Sequence, residues 1–198
     1  MDQEFWDDQY RERGQRWSGR VNGGLRVEVA GMQPGRALDI GCGEGADAIW
    51  LANNGWQVTA IDISTVALER ARAAAGTESR IDWQYADPRV SPPPRASFDL
   101  VSAQYFPIQR EPEHATLRGL LDAVANGGIL LVVSHLITGP PPADWQGPDP
   151  GEFYQPPEIA AHLDDHWSIE VNESRPRVDL PVDNPHHEDL VLRARRLA

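Results

Sequence analysis

Lysine is absent from this chain. All 18 residues in the combined lysine and arginine count of the 198-residue sequence are arginine. No side chain can therefore form a Schiff base, anchor a pyridoxal cofactor or complete a Walker-type phosphate loop, and three large enzyme classes are excluded by inventory. Basic groups are also outnumbered, 18 against 30 acidic, for a formal net charge of −12. Affinity for phosphate backbones draws on a surplus of cations, so a nucleic-acid substrate is disfavoured. The only basic run, Arg193, Arg195 and Arg196, reads as a solvated strand end. A single cysteine, Cys42, cannot make an internal disulfide, and no sequence neighbour would hold it as a thiolate. No apolar run approaches the ~18 residues needed to span a membrane. The start, Met-Asp-Gln-Glu-Phe-Trp, has neither the basic nor the apolar region of a signal peptide. A cytoplasmic protein is expected. Internal repeats and heptads are missing too, and an apolar content of 40% suits one core rather than two.

Glycine is where the sequence becomes specific. Residues 37–45 read Ala-Leu-Asp-Ile-Gly-Cys-Gly-Glu-Gly, a short apolar strand running into three glycines spaced by single residues, with helix-forming sequence directly after. Such a loop lets a ligand approach the backbone closely, and the free amides at the following helix start suit an anionic group. A dinucleotide loop has the form Gly-x-Gly-x-x-Gly after an uncharged strand end. Here Gly41, Gly43 and Gly45 follow Asp39, an acid that would repel a pyrophosphate but can accept from the ammonium of an amino acid.

With Cys42 between the first two glycines, the stretch resembles motif I of the class I S-adenosylmethionine-dependent methyltransferases. The N-terminal pattern Phe-Trp-Asp-Asp-Gln-Tyr, then Trp17-Ser18-Gly19 and Asn22, resembles the small bacterial members related to the tellurite-resistance and thiopurine enzymes, over roughly residues 4 to 135. The resemblance implies a three-layer, Rossmann-like α/β fold with a mostly parallel seven-stranded sheet whose last strand is antiparallel. It implies S-adenosylmethionine as cofactor, with S-adenosylhomocysteine as product, and an aromatic N-terminal segment across it. Trp6, Tyr10 and Trp17 would form that roof, although core packing accounts for these aromatics equally well.

Further along, Asp62 ends a second strand at the place where a carboxylate can accept both ribose hydroxyls, and Ile63 would lie against the adenine. By resemblance, Ala86 and Asp87 close the third strand beside the adenine amino group, an ordinary Asp-Pro turn being the alternative. The fourth strand runs to Ala103, whose carbonyl would take the methionine ammonium, with Gln104 and Tyr105 facing the transferring methyl. The reading Ser-Ala-Gln-Tyr-Phe lacks the Pro-Pro-aromatic of enzymes that methylate adenine amines or side-chain amides. A lone cysteine does not fit arsenite methyltransferases. His135, at the exit of the most apolar strand, is either a base acting on the acceptor or a hydrogen-bonded structural histidine.

Periodicity predicts helices over 2–13, 24–30, 46–53, 64–75, 112–125 and 158–163, and strands over 37–40, 57–61, 80–85, 98–102, 129–134, 167–172 and 188–195. Phe5, Trp6, Gln9, Tyr10 and Arg13 would share a face of the first helix. A loop rich in proline and glycine, 138–157, carries Trp145, Phe153 and Tyr154 and is placed to select a substrate. His186 to Asp189 has metal-ligand residue types, but neighbours on a strand point to opposite faces and rarely converge on one ion; no metal is expected. One domain results, with a lid at 1–35, a cofactor core at 36–135, and a substrate loop with closing strands at 136–198. Three functions remain: a small-molecule methyltransferase, a cofactor-binding or accessory protein without catalysis, and a dehydrogenase, which the glycine spacing disfavours.

Overall fold

The computed structural model describes residues 1–12, 14–78, 80–137, 139, 148–178 and 186–198. Arg13, Thr138 and Trp145, named above, lie outside them. Seven strands form one sheet: β1 (Arg36–Ile40), β2 (Gln57–Asp62), β3 (Ile81–Tyr85), β4 (Phe98–Gln104), β5 (Val124–His135), β6 (Trp167–Pro176) and β7 (Glu188–Arg196). Their spatial order is β3-β2-β1-β4-β5-β7-β6. The five strands from β3 to β5 are parallel, and β7 is antiparallel to both its neighbours. The order reverses beside β1, the crevice where open α/β sheets bind ligands.

Among the described residues six helices accompany the sheet: α1 (Gln3–Arg11), α2 (Gly23–Glu28), α3 (Ala46–Asn53), α4 (Thr65–Ala75), α5 (Ala115–Ala123) and α6 (Pro156–Ala160). Alternation along the strands divides the core in two. Leu38, Ile40, Val101, Ala103, Leu130 and Val132 pack under Leu117 and Leu120 of α5 and Ile159 of α6. Ala37, Leu100, Ile129, Leu131, Val133 and Val191 face the other way, against Leu25 of α2 and Ala48 and Leu51 of α3. Strands buried on both faces read as continuous apolar runs, which is why β5 was conspicuous in the sequence.

Several boundaries differ from the periodic reading. The helix expected over 112–125 is a short 3-10 turn at Pro112–His114 followed by α5, and it stops at Ala123. Val124 pairs with Phe98 of β4, so residues expected to end a helix instead begin β5 through a bulge before Ile129. The helix expected over 158–163 starts earlier, at Pro156, where Gln155 and Glu158 form a reciprocal capping box. Burial along α1 is uneven. Asp7 and Tyr10 are buried and Phe5 stays exposed, because the Asp7 carboxylate is needed at the start of α4. There it accepts from Ser64 Oγ at 2.6 Å and from the Val66 amide at 3.2 Å. Ser64 is itself the N-cap of α4, its hydroxyl accepting from the Ala67 amide.

Candidate active site

The glycine loop joins β1 to α3, and Gly41, Gly43 and Gly45 all have left-handed φ, of 66°, 53° and 83°. Close approach adds a second requirement. A Cβ on Gly43 would lie 2.9 Å from the Tyr10 hydroxyl, and one on Gly45 only 2.5 Å from the Trp83 ring. Between them Cys42 donates its amide to the Ile61 carbonyl, which fastens the loop to β2. Burial, with Asp39 and Asp62 nearby, pushes the Cys42 thiol well up, which suits an inert side chain.

The N-terminal segment comes down on this loop. Trp17 Nε1 donates to the Tyr10 hydroxyl at 3.1 Å, and these rings are the nearest groups to Gly43. Trp6 packs edge-on against Phe5. The fastening is Glu44, between two glycines of the loop, which the sequence did not single out. Its carboxylate accepts from the Arg16 and Trp17 amides and from Arg70 Nη1 at 2.9 Å, while Arg70 Nη2 donates to the Tyr10 carbonyl.

Three aspartates lie buried behind the loop. Asp62 Oδ2 accepts from the Gly43 amide and Oδ1 from the Ser64 amide, each at 2.8 Å. Asp47 takes both the amide and the side-chain nitrogen of Asn22 at 2.7 Å. Asp39 Oδ2 is buried with no partner. Burial raises all three carboxyls above their ordinary range, and Asp39 is raised further by Asp47 and Asp62. A buried, electron-rich acceptor beside a cradle of glycine amides fits the ammonium and carboxylate of an amino-acid-bearing cofactor. Gln104 Oε1, also buried and without a partner, lies on the same sheet face, its Nε2 donating to Ser102 Oγ.

These carboxyls make ligand-free stability depend on pH. A carboxyl raised in the folded state contributes most below its unfolded value near ~4 and loses that contribution as pH rises through the folded value. His186, lowered chiefly by burial, works in the opposite sense, whereas the lowered Asp7, Asp87 and Glu158 act only below the ordinary carboxylate values. The ligand-free protein should therefore melt higher at about pH 5 than at about pH 7. In Asp39→Asn that gap should shrink. Calorimetric melts of both proteins at the two pH values check it, and an unchanged gap would remove Asp39 from the explanation.

Ile63 is half-buried after Asp62, and the Ala86 amide donates to the Asp62 carbonyl, which holds the ends of β2 and β3 together. Asp87 accepts from the Arg89 amide and pairs with its guanidinium at 2.7 Å, so its carboxyl is held below the ordinary range chiefly by Arg89.

At the carboxyl ends of β4 and β5 a second cluster forms. Ala103 is fully buried. Tyr105 adopts a left-handed φ of 55°, donates its amide to the Val133 carbonyl at 2.7 Å, and gives its hydroxyl to Asp189 Oδ2 at 2.8 Å. Burial first, and then the Asp189 charge, raise the Tyr105 phenol far above its ordinary value. The ring stacks on His135, centroids 4.4 Å apart, and His135 stacks in turn on His186 at 4.2 Å. His135 and Asp189 are directly paired across β5 and β7. His135 Nδ1 faces Asp189 Oδ1 at 3.7 Å, and both atoms are buried without a hydrogen-bond partner. The Arg177 guanidinium also lies over the Tyr105 ring, 4.7 Å from its centre. Arg177 was not singled out by sequence, and Asp189 was named only among the metal-ligand residue types of 186–189, because their place beside Tyr105 depends on which strands pair.

A parallel sheet of this order with β7 inserted antiparallel, a Gly-x-Gly-x-Gly loop after β1 and an acid ending β2 together define the class I methyltransferase architecture. Residues 37–128 match a family model described as a methyltransferase domain. The chain is 45% identical over 87 residues to 27-O-demethylrifamycin SV methyltransferase of Amycolatopsis mediterranei, covering 40% of this chain and 32% of that one. It thus spans about a third of that relative's length. Among solved structures, one described for the conversion of a disulfide bond into a thioacetal group during echinomycin biosynthesis superposes with a TM-score of 0.75 at 23% identity, covering 98% of this chain and 91% of that one. TehB from Haemophilus influenzae gives 0.69 at 14% identity, covering 97% and 67%. Residues 37–128 are thus similar to a methyltransferase domain, and over nearly the whole chain the fold is that of S-adenosylmethionine-dependent methyltransferases of class I. Among the described residues no helix is long and apolar enough to cross a membrane.

Proposed function

We propose that this protein methylates a small-molecule nucleophile, as a single domain in which residues 1–35 form the lid, 36–135 the cofactor core and 136–198 the acceptor side. The observation that carries this reading is the pair of buried, partnerless acceptors, Asp39 Oδ2 and Gln104 Oε1, on one sheet face between the glycine loop and the Tyr105–His135 cluster. When bound, S-adenosylmethionine supplies a methyl group on a sulfonium, which an acceptor's lone pair takes in line as the carbon–sulfur bond breaks. Asp39 and the Ala103 carbonyl hold the ammonium, and the backbone of Gly41, Cys42, Gly43 and Gly45 cradles the amino-acid end. Asp62 receives the ribose hydroxyls, while Ile63, Ala86 and Asp87 border the adenine. Trp6, Tyr10 and Trp17 exclude water and tolerate a positive sulfur.

Alignment supplies most of the acceleration, worth several kcal/mol by the effective-molarity argument. Gln104 and Tyr105 position the acceptor. Where the acceptor carries a proton, His135 Nε2 receives it while Nδ1 is held by Asp189. Titration calorimetry with S-adenosylmethionine, S-adenosylhomocysteine and NAD tests the reading. Micromolar binding of the first two alone is expected; binding of NAD alone would overturn it.

A further inference from the structure

Beside the Tyr105 cluster lies a cavity of about 300 Å³, lined by Ser18, Arg20, Val21, Asn22, Gly23, Arg177 and Val178. One wall is the continuation of the lid immediately after Trp17, and the other is the chain leaving β6. Its size falls at the lower end of the ~300–1,000 Å³ typical of small-ligand sites, which suits a molecule rather than a polymer. Its charge is unlike the rest of the chain. Two arginines and no acid line it, in a protein of net charge −12. The acid behind this wall, Asp47, is already engaged by two Asn22 donors.

Arg177 is the informative residue. Its Nη1 is buried with no hydrogen-bond partner, a costly arrangement for a charged donor. Its backbone is fixed, the amide donating to the His187 carbonyl at 2.9 Å, and its guanidinium lies on the Tyr105 ring that stacks against His135. A guanidinium so held presents a planar fork to a carboxylate.

We propose that this cavity is the acceptor site and that the acceptor is a small organic acid, its carboxylate bound by Arg177 with Arg20 at the rim and its nucleophile turned toward Tyr105 and His135. The assignment rests on the methyltransferase reading above. It narrows the acceptor to anionic molecules. An inorganic oxyanion would share the charge but fill only a fraction of the cavity.

The test uses the full chain saturated with S-adenosylhomocysteine and ligand-observed NMR with matched pairs: 4-hydroxybenzoate and its amide, 3-mercaptopropionate and its amide, lactate and its amide, with selenite as an inorganic competitor. At least one acid should bind roughly tenfold or more tightly than its amide, the scale of one charge-assisted contact. That preference should vanish in Arg177→Gln and fall partly in Arg20→Gln, an exposed position that leaves the fold intact. Equal binding of acids and amides, a preference that survives Arg177→Gln, binding of selenite alone, or no binding by any probe would each overturn the proposal. S-adenosylhomocysteine titrated beforehand into the ligand-free proteins reports separately on the methyltransferase reading. Its failure to bind would sink that reading, whereas intact cofactor binding without acid preference sinks only this one.

Discussion

Asp62→Ala is expected to bind S-adenosylhomocysteine more than roughly tenfold more weakly than the wild-type chain, a loss of over ~1.4 kcal/mol. Two effects act in the same direction. The carboxylate ends β2 at the sheet crevice, where its free lone pairs would accept a ligand's hydroxyls, and it also anchors the Gly43 and Ser64 amides at 2.8 Å. Leaving a buried amide unpaired costs about 1–3 kcal/mol, so the glycine loop should loosen even before ligand is added. Titration calorimetry measures the affinity, and circular dichroism shows that the variant is folded. Asp62→Asn separates the two effects, because its single carbonyl oxygen can serve one amide but not both along with a ribose. Unchanged affinity in a folded Asp62→Ala protein would withdraw the ribose assignment.

Asp189→Asn should lower the turnover number on a protic acceptor by roughly a hundredfold or more with little change in KM, the scale on which a positioned general base acts. Asp189 receives the Tyr105 hydroxyl on one oxygen and faces His135 Nδ1 with the other at 3.7 Å, a separation that a small closure converts into a hydrogen bond. The carboxylate favours a proton on Nδ1 and leaves Nε2 free to accept. An asparagine that still receives the Tyr105 hydroxyl on its oxygen turns its NH₂ toward Nδ1, so the imidazole proton moves to Nε2 and the base is blocked. Long-range nitrogen–proton NMR on the neutral imidazole reads that tautomer without any acceptor. Nδ1–H in the wild type and Nε2–H in the variant are expected. A wild-type Nε2–H tautomer would return His135 to a structural role.

The comparison of sequence with structure divides along physical lines. Local chemistry was legible. Three glycines at alternate positions announced a left-handed loop, Ser64 announced the start of α4, and the apolar run after Gly128 announced a central strand. Choices settled by distant partners were not. Asp189 and Tyr105 stand 84 positions apart and meet only because β7 pairs antiparallel with β5. Glu44 looks like filler between glycines until Arg16, Trp17 and Arg70 converge on it. The end of α5 was misjudged because Asn126 and the glycines after it resemble a helix stop, while pairing of Val124 with Phe98 decides the matter earlier. On α1, aromatic spacing gave no hint of Asp7, whose carboxylate turns inward to cap the start of α4.

The Glu44 fastening links two events that would otherwise be independent. It holds the Trp17 amide, and Ser18, the first wall residue of the arginine-lined cavity, follows in the chain. A ligand that displaces Tyr10 and Trp17 from Gly43 must therefore pull on the acceptor cavity through a single peptide bond. The two reactants then cannot arrive in random order at equal rates. Initial-velocity patterns should show compulsory order, with the occupant of the glycine loop binding first and leaving last.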